Sequence, residues 1–399
     1  MAFQNDTMLR RGEYEKILAQ EADTFEERGR KCIALMRLGK TAEALAVATD
    51  LQPGDPNETV RAQLVRSDVL QAADSFKEAL ETLSDFHLPS GVDAENLAKY
   101  HTRIADLYQM AGQHDHALSH YAKAYSFAET EDDSGLMMRS SEAAVESARA
   151  LREDARATNF MEVAMKHAET VAQQSEDPQE LLSAADNISL FGEPDTAEEV
   201  YLKAYGIAEN NGWTWDLALI MLGMSRFDEF SMEPDDALDK TREAIRMLSR
   251  IDSLPALINA TDQLASQLAN AGKGEEALEA MQTVIDSAKE LGDDYTYLNS
   301  LSKATQLCFE IDQVDAALEN LKLLLEESAE REIRPPYIVS LLREAYRMAP
   351  DAKVARCWAK RTRKPTSTNC KGCSTIPEPE KRIDNLSQNS NISRHATGD

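Results

Sequence analysis

The sequence predicts an all-α protein, an α-solenoid of about eight stacked helix-turn-helix repeats with capping helices. Three observations carry this expectation. First, the chain of 399 residues is 42% hydrophobic and 28% charged, with 16 glycines, 13 prolines and 6% aromatics. That mix disfavours β-sandwiches and barrels, which need turn residues and aromatic strands, and favours Ala/Leu/Glu-rich helices. Second, one alanine signature recurs with a constant period. Third, apolar positions around that alanine fall at offsets of 3, 4 and 7, one face of a helix.

The recurrent alanine, usually followed by leucine, stands at Ala44, Ala79, Ala117, Ala157, Ala197, Ala237, Ala277 and Ala317, at intervals of 35, 38 and then five times 40. Twelve residues earlier come Cys32, Ser67, Ala105, Val145, Ala185, Ser225, Ala265 and Thr305, none larger than valine. A small side chain at one fixed place lets two helix axes approach closely. Nine before the anchor a mostly larger set appears, with Leu35, Leu70, Tyr108, Ile188 and Leu268. Four after it stand Tyr121 and Tyr201, and seven after it Ala124, Ala164, Ala204 and Ala244. Gly39, Gly112, Gly192 and Gly272 lie five before the anchor, where the end of a first helix favours glycine. Asp228 and Thr241 make the sixth unit the poorest match.

The order small, large, Gly, Ala, aromatic, Ala resembles the tetratricopeptide repeat family. Tyr108, Gly112, Ala117, Tyr121 and Ala124 form its best instance, followed by Gly192, Ala197, Tyr201 and Ala204. The unit is about six residues longer than the usual 34, which is similar to the long-unit subclass of about 40 residues. The resemblance implies a right-handed superhelix whose first helices line a concave groove.

The expected organisation is an N-terminal capping helix in 1–24, eight repeats in 25–337, a degenerate ninth repeat or C-terminal cap in 338–363, and a disordered tail in 364–399. The cap reading rests on the helical run of residues 7–24, since a terminal repeat needs a polar outer cover. Lys364–Asp399 is rich in Ser, Thr, Asn and Pro and has no apolar period.

The formal charge of −27 argues against a surface that seeks nucleic acid or anionic lipid. No apolar run reaches a membrane span and no signal-peptide core opens the chain, so a cytoplasmic location is expected. Five scattered cysteines fit a reducing compartment better than a disulfide framework. Gly39-Lys40-Thr41 ends like a phosphate loop, but Ala34 stands where the loop needs glycine and no strand precedes it. His116 and His120, with His114 nearby, are spaced to share a helix face, and a solvated face is the preferred reading over a metal site. Cys370 and Cys373, with Cys357 and His395, are the remaining candidates for zinc, against an inert tail. Lys360–Lys364 reads as a basic patch ending a helix rather than an address or a nucleic-acid contact. No nucleophile or acid–base constellation is recognisable, so neither enzyme activity nor a cofactor is expected.

The resemblance also implies which residues face the groove. In the first four units these include Arg30, Arg37, Arg61, Lys99, Arg103, Arg139 and Arg149, against Glu26, Asp68, Asp106, Glu142 and Glu146. In the next four they include Asn259, Gln263, Asn270, Asn299 and Gln306. Guanidinium forks suit carboxylates, and amides suit an extended backbone. The Lys/Asn pair of the carboxylate clamp that grips chaperone tails is absent, with Gly29/Ile33, Leu64/Asp68 and Thr102/Asp106 at its places. The expected function is a non-catalytic scaffold or adaptor in a multiprotein complex, holding a protein or peptide, with an acidic segment favoured. The alternative is a regulator whose superhelix changes shape when a peptide or partner binds.

Overall fold

A computed structural model describes residues 6–352, apart from 231–233, 332 and 334–336. Its described regular elements are all α-helices, and the chain forms two compact units that divide between Ala271 and Gly272. The possible ligands Cys357, Cys370, Cys373 and His395, the basic run 360–364 and the tail lie outside the described residues. No helix among the described residues is long and apolar enough to cross a membrane.

Unit 1 opens with two short helices, α1 (Thr7–Arg11) and α2 (Tyr14–Ala19). Helix pairs follow: α3 (Phe25–Arg37) with α4 (Thr41–Thr49), α5 (Pro56–Ala72) with α6 (Phe76–Ser84), and α7 (Ala94–Met110) with α8 (His114–Thr130). Then come α9 (Ser134–Ala150) with α10 (Asp154–Gln174), α11 (Pro178–Phe191) with α12 (Pro194–Asn211), α13 (Thr214–Phe230) with α14 (Pro234–Arg250), and finally α15 (Leu254–Asn270). The two short intervals in the sequence period have a simple origin, because α4 and α6 run for only 9 residues where α8 and α14 run for 17.

The pair geometry follows from the repeated columns. All eight anchor alanines and all eight small-column residues are buried. The two columns touch: Cys32 Sγ lies 3.4 Å from the carbonyl of Ala44, and Ser67 Oγ donates to that of Ala79 at 3.3 Å. First helices start on aspartate caps, Asp55, Asp93, Asp133 and Asp177, whose carboxylates accept from the first turn. Second helices start without a side-chain cap. They are entered through a left-handed residue five before the anchor, namely Gly39, Asp74, Gly112 and Arg152. The next N–H closes a Schellman bond to the column nine before the anchor: Lys40 to Leu35 at 2.9 Å, Ser75 to Leu70 at 2.9 Å, and Gln113 to Tyr108 at 2.8 Å. Gly192 departs from this, with φ of −117°, and its small size admits Met165, whose Cε would lie 2.4 Å from an added Cβ.

The poor match of the sixth unit is a buried polar cluster. Asp228 pairs with Lys240, and Thr241 Oγ1 lies 2.8 Å from Ser225 Oγ and 2.7 Å from Gln267 Oε1.

Residues 7–24, expected as one helix, are two, because Gly12 takes the left-handed conformation at φ 75° and ends α1. Its small size serves a further purpose. An added Cβ would stand 2.3 Å from Cγ2 of Ile251, so α1 meets the far end of the unit there. One apolar core runs from Leu9, Tyr14 and Ile17 through Phe25 and Leu35 to Ala218, Leu222, Leu248 and Ile251. Unit 1 therefore closes on itself, with α1 packed on α13 and α3 on α15.

Unit 2 contains α16 (Gly274–Leu291), α17 (Asp294–Glu310), α18 (Val314–Glu330) and α19 (Ile338–Met348). α16 packs on α17, α17 on α18, and α19 covers both α17 and α18 with Ile338, Leu341, Leu342 and Ala345 buried. Asp293 caps α17, and the α17–α18 turn repeats the left-handed device at Asp312.

Candidate functional site

Unit 1 holds a cavity of about 740 Å³ walled by its first helices α3, α5, α7, α9 and α11. It meets α9 and α11 at their N-terminal ends, so their caps Asp133 and Asp177 reach its wall, while α5 and α7 contribute residues from farther along, such as Asp68 and Asp106. Eight carboxylates and four cations line it, with Leu64, Leu136, Thr102 and Gln179 between them. The four cations are Arg30, Lys99, Arg103 and Arg139, so the structure brings together four of the seven basic residues expected in the groove.

Most of these charges are already engaged. Arg30 pairs with Asp6 at 3.0 Å, and Lys99 pairs with Glu95 one turn away. Arg103 Nε stands 2.7 Å from Asp68 Oδ1 as an ion pair, although its N–H is not aimed along that line. Arg61 holds Glu26 from beside the cavity through Nη1 and Nη2, at 2.6 and 2.9 Å. Burial pushes the Asp68 carboxyl above its ordinary value, against the pull of Arg103. Burial also raises Asp106, which accepts from Tyr121 Oη at 2.8 Å. The same bond recurs in the fifth unit, from Tyr201 to Asp186 at 2.6 Å. The Thr102 hydroxyl is buried at the wall and has no partner among the described residues.

Three expected groove residues lie elsewhere or act differently. Arg37 is buried rather than offered to a partner: Nη1 donates to the Leu9 carbonyl at 2.7 Å, and the guanidinium sits 4.0 Å above Trp215. Its place at the last turn of α3 aims it at the closure, where the C-terminal carbonyls of α1 need a donor. Arg61 stands behind Glu26. Arg149 is exposed, with Nη2 at 3.3 Å from Met161 Sδ.

The amide set also splits. Gln263 is taken by Leu222 O at 3.1 Å and Ser225 Oγ at 2.6 Å, and Asn270 donates to Glu229 at 2.6 Å. Asn259 is exposed, while Asn299 and Gln306 belong to unit 2, where Gln306 donates to Glu310 at 2.8 Å.

Sequence reasoning missed Asp6, Glu95, Asp133, Leu136, Asp177, Gln179 and Glu180. The signal for two of them was present, since an aspartate recurs at the start of first helices. His120 joins His101 rather than a metal cluster, with 3.1 Å between their Nδ1 atoms. Among the described residues no group of three or more His, Cys, Asp or Glu is placed to hold a metal ion.

No protein-family model matches the chain, and no curated protein matches it. Solved structures do. The chain is similar to a Rap protein complexed with competence and sporulation factor, at 14% identity and a TM-score of 0.44, over 86% of this chain and 99% of that one. It is similar to a signal transduction ATPase with numerous domains from Pyrococcus horikoshii, which carries a tetratricopeptide repeat sensor, at 12% identity and a TM-score of 0.43, over 84% of this chain and 54% of that one. A third likeness is to the apo form of RapI, at 14% identity and a TM-score of 0.37, over 84% of this chain and 98% of that one.

Proposed function

We propose that this chain is a non-catalytic interaction protein, an adaptor that holds a segment of a partner protein in the concave cavity of unit 1. The cavity is the observation that carries the reading. Its volume of about 740 Å³ falls within the range of pockets that enclose small ligands and short segments. Its walls offer charges of both signs, an apolar floor at Leu64 and Leu136, and the unpartnered Thr102 hydroxyl. Carboxylates outnumber cations two to one, which favours a segment bearing Lys or Arg. The acidic segment suggested by the basic residues alone would have to displace Asp68, Glu95 and Asp6 from their present partners.

Affinity capture by the 399-residue chain tests the site. Thr102→Trp places an indole at the cavity wall and is expected to weaken capture strongly, while Arg149→Glu outside it leaves capture intact. Capture undiminished in Thr102→Trp places the interface elsewhere. With a partner in hand, Asp133→Asn with Glu180→Gln should weaken binding of a cationic segment, and Arg139→Glu should strengthen it. The opposite pattern identifies an acidic segment. Either interaction should weaken with salt, since exposed charges are screened over about 8–10 Å near physiological ionic strength.

A further inference from the structure

The closure of unit 1 is pinned by one side chain. Arg10 is buried, with Nη2 at 2.5 Å from Asp177 Oδ2 and Nη1 at 3.1 Å from Asp216 Oδ2. Its guanidinium also stacks 4.5 Å above the Trp213 ring. The element that carries it is slight, because α1 buries only Leu9 and Arg10. Closing leaves a polar group unmet: the buried indole N–H of Trp213 has no acceptor among the described residues.

The groups that hold the pin are shared with the cavity. Asp177 accepts from Arg10 and lines the cavity wall. Gln179 lines it as well and donates to Asp216 at 2.7 Å. Asp6, also in the cavity lining, caps α1 through the N–H groups of Met8 and Leu9 while pairing with the cavity residue Arg30. A change inside the cavity at Asp177 or Asp6 is therefore a change in what holds α1 down.

We propose that α1 is a releasable clasp coupled to the cavity: a cationic side chain of a bound segment competes with Arg10 for Asp177, and α1 leaves α13. The proposal rests on the reading that the cavity binds a protein segment, and it adds how the binding is regulated. Competition for one carboxylate gives the segment a differential affinity for the open state, which is what a population shift requires. The coupling is reciprocal, so loosening the clasp must tighten binding in the cavity. A merely structural Arg10 would not do this.

The test uses the 399-residue chain and fluorescein-labelled hexa-arginine as the probe, read by fluorescence anisotropy and by hydrogen exchange of residues 7–19. Arg10→Met is expected to bind the probe at least three-fold tighter than wild type and to exchange 7–19 at least ten-fold faster. Arg11→Met removes the same charge from an exposed neighbour, whose Nη2 is 3.5 Å from Asn211 O, and should do neither. Gly12→Ala forces the same release without a charge change, by pressing a Cβ on Ile251. It serves should Arg10→Met fail to fold. Saturating probe should also speed exchange of 7–19 in the wild type. Affinity unchanged in both release variants, or 7–19 still protected with probe bound, overturns the clasp alone. A Thr102→Trp variant that binds the probe as tightly as wild type overturns the cavity reading and the coupling with it.

Discussion

Arg10 shows how much one side chain can decide. Its partner Asp216 is buried as fully as it is, and burial pushes that carboxyl upward against the pull of Gln179 and Arg10. Removing one member of a buried pair leaves the other charge uncompensated, at a cost of about 3–5 kcal/mol. Arg10→Ala should lower unfolding stability by that order in urea titrations, and adding Asp216→Asn should lower it by less than the sum of the singles. Nothing in the run Leu9-Arg10-Arg11 marks one arginine as buried and the next as exposed. That difference depends on Trp213 and Asp216, more than 200 residues away. His101 and His120 give a second residue-scale expectation. Burial, with neighbouring positive charge, holds both down to about 4, while the unfolded imidazoles titrate near 6.5. Between these values the unfolded chain binds protons that the native protein refuses. Their contribution is therefore whole above about pH 6.5 and is lost as pH falls toward 4. The melting temperature should decline over that window, and His120→Gln should flatten the decline. An unchanged slope in His120→Gln would place the acid sensitivity at other groups.

Among the elements, first and second helices are built by different local chemistry, and the sequence exposes this unevenly. The aspartate at the start of a first helix supplies a bond that Gln113, at the start of α8, does not. Asp93→Ala should destabilise by about 1 kcal/mol, and Gln113→Ala should stay within about 0.5 kcal/mol, both read by thermal melts. The packing columns give a sharper contrast. Ala105 is fully buried at a helix crossing, so Ala105→Phe should cost about 1–3 kcal/mol or more, whereas Arg149→Ala on the exposed face should cost little. Equal losses would mean that the helix faces are rotated from those described. Anchors, small column and Gly turns were legible because each depends on offsets within one helix pair. The partners of groove charges were not legible in the same way. Arg61 meets Glu26 and Arg103 meets Asp68 one repeat back, so a residue that reads as an open binding group is the rung of a ladder between successive first helices. The break at Gly12 is not legible because residues 7–24 keep a helical pattern across it, and the glycine answers both to its left-handed conformation and to the contact with Ile251, far along the chain.

At the scale of the molecule, a repeat array is expected to be quasi-one-dimensional, each unit touching only its neighbours, with stability close to a sum over units. The period legible in the sequence carries that expectation and says nothing of where the array ends meet. Unit 1 departs from it through α1 on α13, α3 on α15, and the Ser253 hydroxyl, which donates to the Arg37 carbonyl at 2.8 Å. These contacts make the number of pairs between α3 and α13 a geometric condition for closure. Deleting residues 118–157, forty residues between equivalent points of two second helices, separates the two principles. The remaining pairs keep their neighbours and their small-column crossings, so helicity per residue by circular dichroism should be unchanged. The span between α1 and α13 loses one pair, so Arg10 should no longer reach Asp177 and Asp216 together, and the Trp213 and Trp215 rings should lose their guanidinium covers. Faster hydrogen exchange over 7–19 and altered tryptophan emission should follow, with a cavity variant such as Thr102→Trp as the folded control. If the shortened protein kept 7–19 fully protected, closure would tolerate a missing pair and would not depend on the count. A molten product would instead show that neighbour contacts alone do not sustain the array.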